Sequence, residues 1–313
     1  MTDHPSAAGP LLRDVLAVLE RLYPAQSAQS WDHVGLVTGD PDQPIRRIHL
    51  AVDPTLAVIE EARDAGADLL ITHHPLLMRG VHGLGTDTAK GAAVTALIVA
   101  DIALFAAHTN ADIAEPGVCT ALAAACGLDP ATTEPLTLEE GRPMGRYGSL
   151  GESISLREFA ARLAGRLPSA PVGVRVAGPP SAPVTTVAVL GGAGDSLLDV
   201  VRRRGADVYV TSDLRHHPTL EVREESRGAP PYLIDAGHFA TEWLWLAEAG
   251  RRIVSGVREA GERQGAGGGE LEVFVSQIVT DPWTFVVGAR GADGVPDVPD
   301  VPDVPGARKE GTP

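Results

Sequence analysis

Two adjacent histidines at the end of an apolar run are the first residues in this chain that can do chemistry. Leu69-Leu70-Ile71-Thr72 reads as a strand and His73-His74 follows it directly, at the C-terminal strand end where α/β sheets usually hold ligands. Neutral imidazole is a common ligand for Zn, Fe, Ni and Cu. Two neighbouring rings can point two ways and serve one ion each, although the doublet alone reads equally as capping or core histidines. Further on, Gly237 leads into His238-Phe239-Ala240-Thr241-Glu242, and residues four apart on a helix share a face, so one turn offers nitrogen and carboxylate together. A carboxylate has two oxygens and can bridge two cations, which in two-metal hydrolytic sites stand about 3.5–4 Å apart. Glu242 is the candidate bridge, while the same acid could simply favour a helix N-terminus through the macrodipole. Asp112, four residues after His108, is a further ligand candidate or a turn cap. Together His73, His74, Asp112, His238 and Glu242 make the mixed nitrogen and oxygen set that two divalent ions (Zn, Mn or Fe) would take.

An internal repeat must position these residues. Arg46 to Thr72 aligns without a gap on Thr185 to Thr211, with Gly66-Ala67-Asp68 on Gly205-Ala206-Asp207 and Thr72 on Thr211. Each copy then carries His-His-Pro, His73-His74-Pro75 and His216-His217-Pro218, and each has an apolar strand followed by a His-x-x-x-acid, His108 to Asp112 and His238 to Glu242. The second His-His-Pro comes a few residues later than strict alignment predicts, but the parallel order of motifs is what a duplicated unit leaves. Within the first copy, helical spacing covers Leu11 to Leu22, then strand Ile48–Val52, helix Thr55–Ala65, strand Asp68–Thr72, helix Ala92–Ala100 and strand Ile102–Ala106 alternate. Alternation on this scale gives an α/β class built of βαβ units. A Gly237 turn is expected to lead into a helix from Trp243 to Val254. We draw the domains as 1–128 plus 236–288 for the first and 129–235 for the second, with a Pro, Asp and Gly-rich tail at 289–313 that should be extended and mobile.

Other features weigh less. Gly191-Gly192-Ala193-Gly194 could cradle a phosphate, but a tight turn explains it as well. His108, His216 and His217 can stand beside the metals as outer partners or proton carriers, or be ordinary surface or core histidines. Trp31-Asp32 reads as a pocket wall or as a buried Trp beside a helix cap. Cys119 and Cys126 fall in one Ala-rich helix as small core residues.

At 313 residues with a charge of −15, the chain has room for two cores and lacks the basic balance that a nucleic-acid partner demands. Met1 to Pro10 has no export signal, which points to the cytosol. The most apolar stretch, Ala92 to Ala107, is interrupted by Asp101 and is too short to span a bilayer, which needs about 20 apolar residues.

Trp31-Asp32-x-Val34-Gly35-Leu36, Thr72-His73-His74-Pro75, His108-Thr109-Asn110-x-Asp112, Gly191-Gly192-Ala193-Gly194, Gly205-Ala206-Asp207, Gly237-His238-x-x-x-Glu242 and Asp281-Pro282-Trp283 together resemble the Nif-three-like dinuclear metal-centre family. Its members are also catalogued as GTP cyclohydrolase 1 type 2 homologs. The resemblance implies two intertwined α/β domains, a ring-shaped homohexamer with metal pairs facing an inner cavity, ligands at His73, His74, Asp112, His238 and Glu242, and Glu242 as the bridge. His33 stands where the family usually has Asn. Some members carry an inserted middle domain, for which the spacing from Asp112 to His238 leaves no room.

The function these readings favour is a metal-dependent hydrolase of a small molecule, in which one ion lowers the pKa of water and the other polarises the substrate. Family naming points to GTP. The alternative is a non-enzymatic metal-binding ring scaffold or interaction protein.

Overall fold

The computed structural model describes residues 9–263 and 271–287; the tail expected at 289–313 lies outside the described residues. Two mixed five-stranded sheets carry the chain. The first half runs α1 (Leu12–Leu22), β1 (Gly35–Thr38), β2 (Arg47–Ala51), α2 (Leu56–Asp64), β3 (Leu69–Thr72), α3 (Ala89–Val99), β4 (Ala103–Ala106), α4 (Thr109–Ile113) and α5 (Val118–Ala125). A hairpin of β5 (Thr137–Glu139) and β6 (Arg142–Met144) leads to β7 (Arg146–Ser155), α6 (Leu156–Ala164), β8 (Arg175–Ala177), β9 (Pro183–Ala193), α7 (Leu198–Arg204), β10 (Val208–Ser212), α8 (His216–Glu225) and β11 (Tyr232–Asp235). The chain then returns through α9 (His238–Trp243) and α10 (Leu246–Arg263) to β12 (Glu272–Val275).

The first sheet has the order β1-β4-β3-β2-β12 and the second β7-β9-β10-β11-β8. Strands β2, β3 and β4 are parallel in one, and β9, β10 and β11 in the other. Every residue of β3, β4, β10 and β11 is buried, as expected of parallel strands covered on both faces. β12 extends the first sheet beside β2, so the chain leaves that sheet after β4 and comes back to complete it. Tyr23, Phe239, Trp245 and Ile253 join one core with Leu50, Ile71 and Phe105, while Phe159, Val187, Val210 and Ile234 centre another. Cys119 and Cys126 are free and buried, in keeping with their reading as small core residues.

The aligned segments occupy equivalent places. Asp68 accepts the backbone N–H groups of Arg46 and Arg47, and Asp207 accepts those of Thr185 and Thr186. Each acid, at the entry of its strand, satisfies two donors near the start of the preceding strand, which accounts for the recurring Asp. Boundaries differ from the expected ones by a few residues, chiefly at α3, which starts early because the Thr88 hydroxyl accepts from Gly91 N–H. The helix expected from Trp243 is in fact two: α9 begins at His238, and α10 at Leu246. Among the described residues, no helix is long and apolar enough to cross a membrane.

Candidate metal centre

Each functional side chain leaves the C-terminal end of a strand. His73 and His74 follow β3, Asp112 lies in α4 after β4, and His238 and Glu242 lie in α9 after β11. By repeat equivalence β4 with α4 corresponds to β11 with α9. The two sheets turn these ends toward one another and bring all five residues together.

The donor atoms converge closely. His73 Nε2 is 3.5 Å from Asp112 Oδ1 and 3.4 Å from Glu242 Oε1. His74 Nε2 is 3.2 Å from Glu242 Oε2, and His238 Nε2 is 2.9 Å from Glu242 Oε1. Glu242 thus stands between the histidines of both sheets. His108 joins them: donor atoms of His73, His74 and His108 lie within 4.8 Å of one another, as do those of His74, His238 and Glu242. His217, the other outer candidate, lies with His216 on the first turn of α8, ring against ring at 5.1 Å, and the cluster is built without either.

The opposite side of each imidazole is tied down. His73 Nδ1 meets the Ala107 carbonyl at 2.9 Å, His74 Nδ1 meets Asp53 at 2.7 Å, His238 Nδ1 meets Asp213 at 2.8 Å and His108 Nδ1 meets Asp32 at 3.0 Å. An acceptor at Nδ1 fixes the proton there in the neutral ring and leaves the Nε2 lone pair toward the centre, the arrangement that orients histidine ligands in metal sites. Sequence reasoning missed Asp53 and Asp213 as orienting acids. Both lie at strand ends beside the histidines they hold, and Asp213 is the repeat counterpart of His74, so the alignment contained a signal.

Two minor sequence motifs resolve differently from expectation. Gly191-Gly192-Ala193 completes β9 rather than forming a turn after it. A Cβ on Gly192 would lie 2.5 Å from Glu242 Oε1 and 3.3 Å from His238 Nε2, at a φ of +69°, so glycine makes the space Glu242 occupies. Trp31 is 53 % exposed and stands edge-on to His108. Asp32 accepts from the backbone N–H and hydroxyl of Thr109, so it caps α4 while it holds His108.

Electrostatics mark the cluster as a charge held away from water. Burial works against ionisation of Glu242, but the charges of His73 and His74 and the His238 hydrogen bond outweigh it and keep the carboxyl well below its ordinary value. Burial likewise opposes protonation of His74 and His238. The Glu242 charge and the Asp53 bond nevertheless hold His74 at about 10, and the Asp213 and Glu242 bonds hold His238 at about 11. Burial, reinforced by Glu242, pushes Asp112 up to about 7. His73 Nε2, Asp112 Oδ1 and Glu242 Oε2 are buried without a hydrogen-bond partner. Buried polar atoms left unpaired are costly, and three in one cluster, two of them on acids, fit a cation.

Comparison with known proteins agrees with this architecture. A family model described as Duf34/NIF3 (NGG1p interacting factor 3) matches residues 10–282. A Streptomyces coelicolor protein named "GTP cyclohydrolase 1 type 2 homolog" is 48% identical over 278 residues, covering 88% of this chain and 94% of its own. A Mycobacterium bovis protein of the same name is 34% identical, covering 87% of this chain and 96% of its own. Among solved structures, a Bacillus cereus protein related to NIF3 superposes with a TM-score of 0.75 at 25% identity, over 88% of this chain and 99% of its own. With its two mixed sheets and its match running through nearly the whole described chain, this protein belongs to the Duf34/NIF3 family.

Proposed function

We propose that the protein holds two divalent ions per chain, Zn, Mn or Fe, and is a metal-dependent hydrolase of a small molecule. His73 and Asp112 would hold one ion, His74 and His238 the other, and Glu242 would bridge them. The observation that carries this reading is the set of buried, unpartnered atoms His73 Nε2, Asp112 Oδ1 and Glu242 Oε2. Bound ions supply Lewis acidity that makes water nucleophilic near neutral pH and polarises a substrate oxygen.

The chain's own residues prepare that chemistry. Asp53, Asp213 and the Ala107 carbonyl keep three Nε2 atoms aimed inward. Glu242, 3 % exposed, supplies negative charge where water cannot screen it. A cavity of about 520 Å³ opens on His74 and His238, with Asp281 and Trp283 in its wall, and is of a size to take a small molecule.

The name shared by the bacterial relatives supports GTP as the substrate, with formate released on ring opening. The test is to load the purified protein with Zn, Mn or Fe and look for formate and a pterin product from GTP. Turnover unchanged in Glu242→Ala overturns the mechanism. A substrate screen at matched metal loading in which no activity tracks metal content favours the non-enzymatic ring scaffold. The domain division at 128 and 235, a cytoplasmic setting and assembly as a homohexameric ring belong to the same reading; light scattering of the purified chain tests the last.

A further inference from the structure

We propose that a basic cavity next to the metal-centre cavity is the subsite for the anionic tail of a nucleoside phosphate whose base lies over the metal centre. This rests on the metal-centre reading above. The second cavity, of about 510 Å³, is lined by Arg223, His216 and Thr219 and shares Arg175, Leu214 and Asp235 with the first. Three common wall residues set the two cavities side by side across the Arg175–Asp235 pair, the second leading away from His74 and His238.

The two cavities together are polar in one sense. At the metal end the wall carries Asp281 and Trp283, which is 64 % exposed, beside Asp53 and Asp213, which are already bonded to His74 and His238. Carboxylates accept from N–H donors and an open indole face stacks on a flat ring, so this end suits a planar, donor-bearing base and repels phosphate. At the far end the charge reverses, in a chain whose overall charge is −15. One Nη of Arg223 donates to the carbonyls of Ala229 and Pro231, and the guanidinium lies over the Tyr232 ring. These contacts fix the cation without neutralising it. Arg175 pairs with Asp235 at 2.6 Å, yet that carboxylate also accepts from the backbone N–H groups of Leu214 and Gly237, and the Arg175 side chain remains 66% exposed. Its planar fork keeps donors for a second oxyanion, the geometry in which arginine holds phosphate. The first turn of α8, which begins at His216 and has no side-chain cap, adds N–H groups on the same wall.

The experiment uses the full-length, metal-loaded protein and equilibrium dialysis on ice against guanosine, GTP or inorganic tripolyphosphate, with recovered ligand checked intact by chromatography. Wild type should bind GTP roughly tenfold or more tighter than guanosine, as expected of charge-assisted bonds. Arg175→Gln and Arg223→Gln should each cut that ratio by about fivefold or more with metal content and guanosine affinity unchanged, while Arg223→Lys, which keeps the charge, should retain most of it. Equal affinity for GTP and guanosine in wild type overturns the proposal. So does a ratio unmoved in both Gln variants, or tripolyphosphate binding as tightly as GTP and insensitive to them, since the anion would then sit on the metals. Failure of the metal-centre reading is separate: it appears as equal metal content in wild type and Glu242→Ala.

Discussion

His74 and His238, 164 residues apart in the chain, stand with their Nε2 atoms 3.3 Å apart. Two nitrogens bound at about 2.0–2.1 Å to one tetrahedral ion are separated by about this much, whereas two protonated rings at that distance repel. His74 comes from the end of β3 and His238 from the start of α9, so one copy of the repeat supplies each half of the pair. Anything that changes how the two sheets meet changes this distance, and a bound cation would fasten them together.

Gly192 leaves the space that Glu242 fills. Gly192→Ala places a methyl 2.5 Å from Glu242 Oε1 at a positive φ, so the carboxylate must shift or the strand must relax. The variant should lose metal affinity by about tenfold or more, with a backbone strain cost of about 1–3 kcal/mol. Titration with a competing chelator measures the first and denaturant melts the second; wild-type metal affinity would show that Glu242 does not need its observed place.

Asp213 is exposed and holds His238 Nδ1. Removal of its charge in Asp213→Asn should weaken metal binding by about 10–100-fold, the usual effect of losing a histidine's orienting partner. A fall in stability without any change in metal affinity would make Asp213 a structural residue only.

In the metal-free protein His74 at about 10 and His238 at about 11 lie above the ordinary value of 6.5. A raised pKa in the folded state means that these protons add stability, in full below about pH 6.5, declining above it and gone above the folded values. The metal-free protein should therefore melt at progressively lower temperature as pH rises from 7 to 10, about the span between those values. Near neutral pH a metal ion competes with the protons this cluster holds, so loading should release protons and apparent affinity should climb with pH. Calorimetry in buffers of different ionisation enthalpy measures the release; no release would show that the two histidines do not hold the metal.

The repeat makes a prediction independent of metal. Asp68 and Asp207 each accept two backbone N–H groups near the start of the preceding strand. Asp68→Ala and Asp207→Ala should destabilise by similar amounts, about 1–3 kcal/mol each, with metal content intact in both. Urea melts that separate the two strongly would show that the motifs are alike in sequence only.

Much of the site could be read from residue type and spacing, because histidine doublets and His-x-x-x-acid pairs announce themselves at strand ends. The alternating elements and the aligned Gly-Ala-Asp motifs gave the fold class for the same reason. What spacing could not tell was the work of residues whose role is set by a neighbour far along the chain. Asp53 and Asp213 look like ordinary turn acids until His74 and His238 are seen against them. Gly192 looks like a loop glycine until Glu242 arrives 50 positions later, and Trp245, between α9 and α10, packs edge-on against Tyr23 from the far end of the chain. His216-His217 shows the reverse: its likeness to His73-His74 is a matter of sequence, and the structure sets it on an exposed helix start.

The central claim is that His73, Asp112, His74 and His238 gather around a shared Glu242, and elemental analysis of metal content tests it most directly. Wild type, His73→Ala and Glu242→Ala, each confirmed folded by circular dichroism, would be loaded and desalted identically. The account predicts about two ions per chain in wild type, about one in His73→Ala and close to none in Glu242→Ala, as a bridging carboxylate requires. Equal metal content in all three would contradict it.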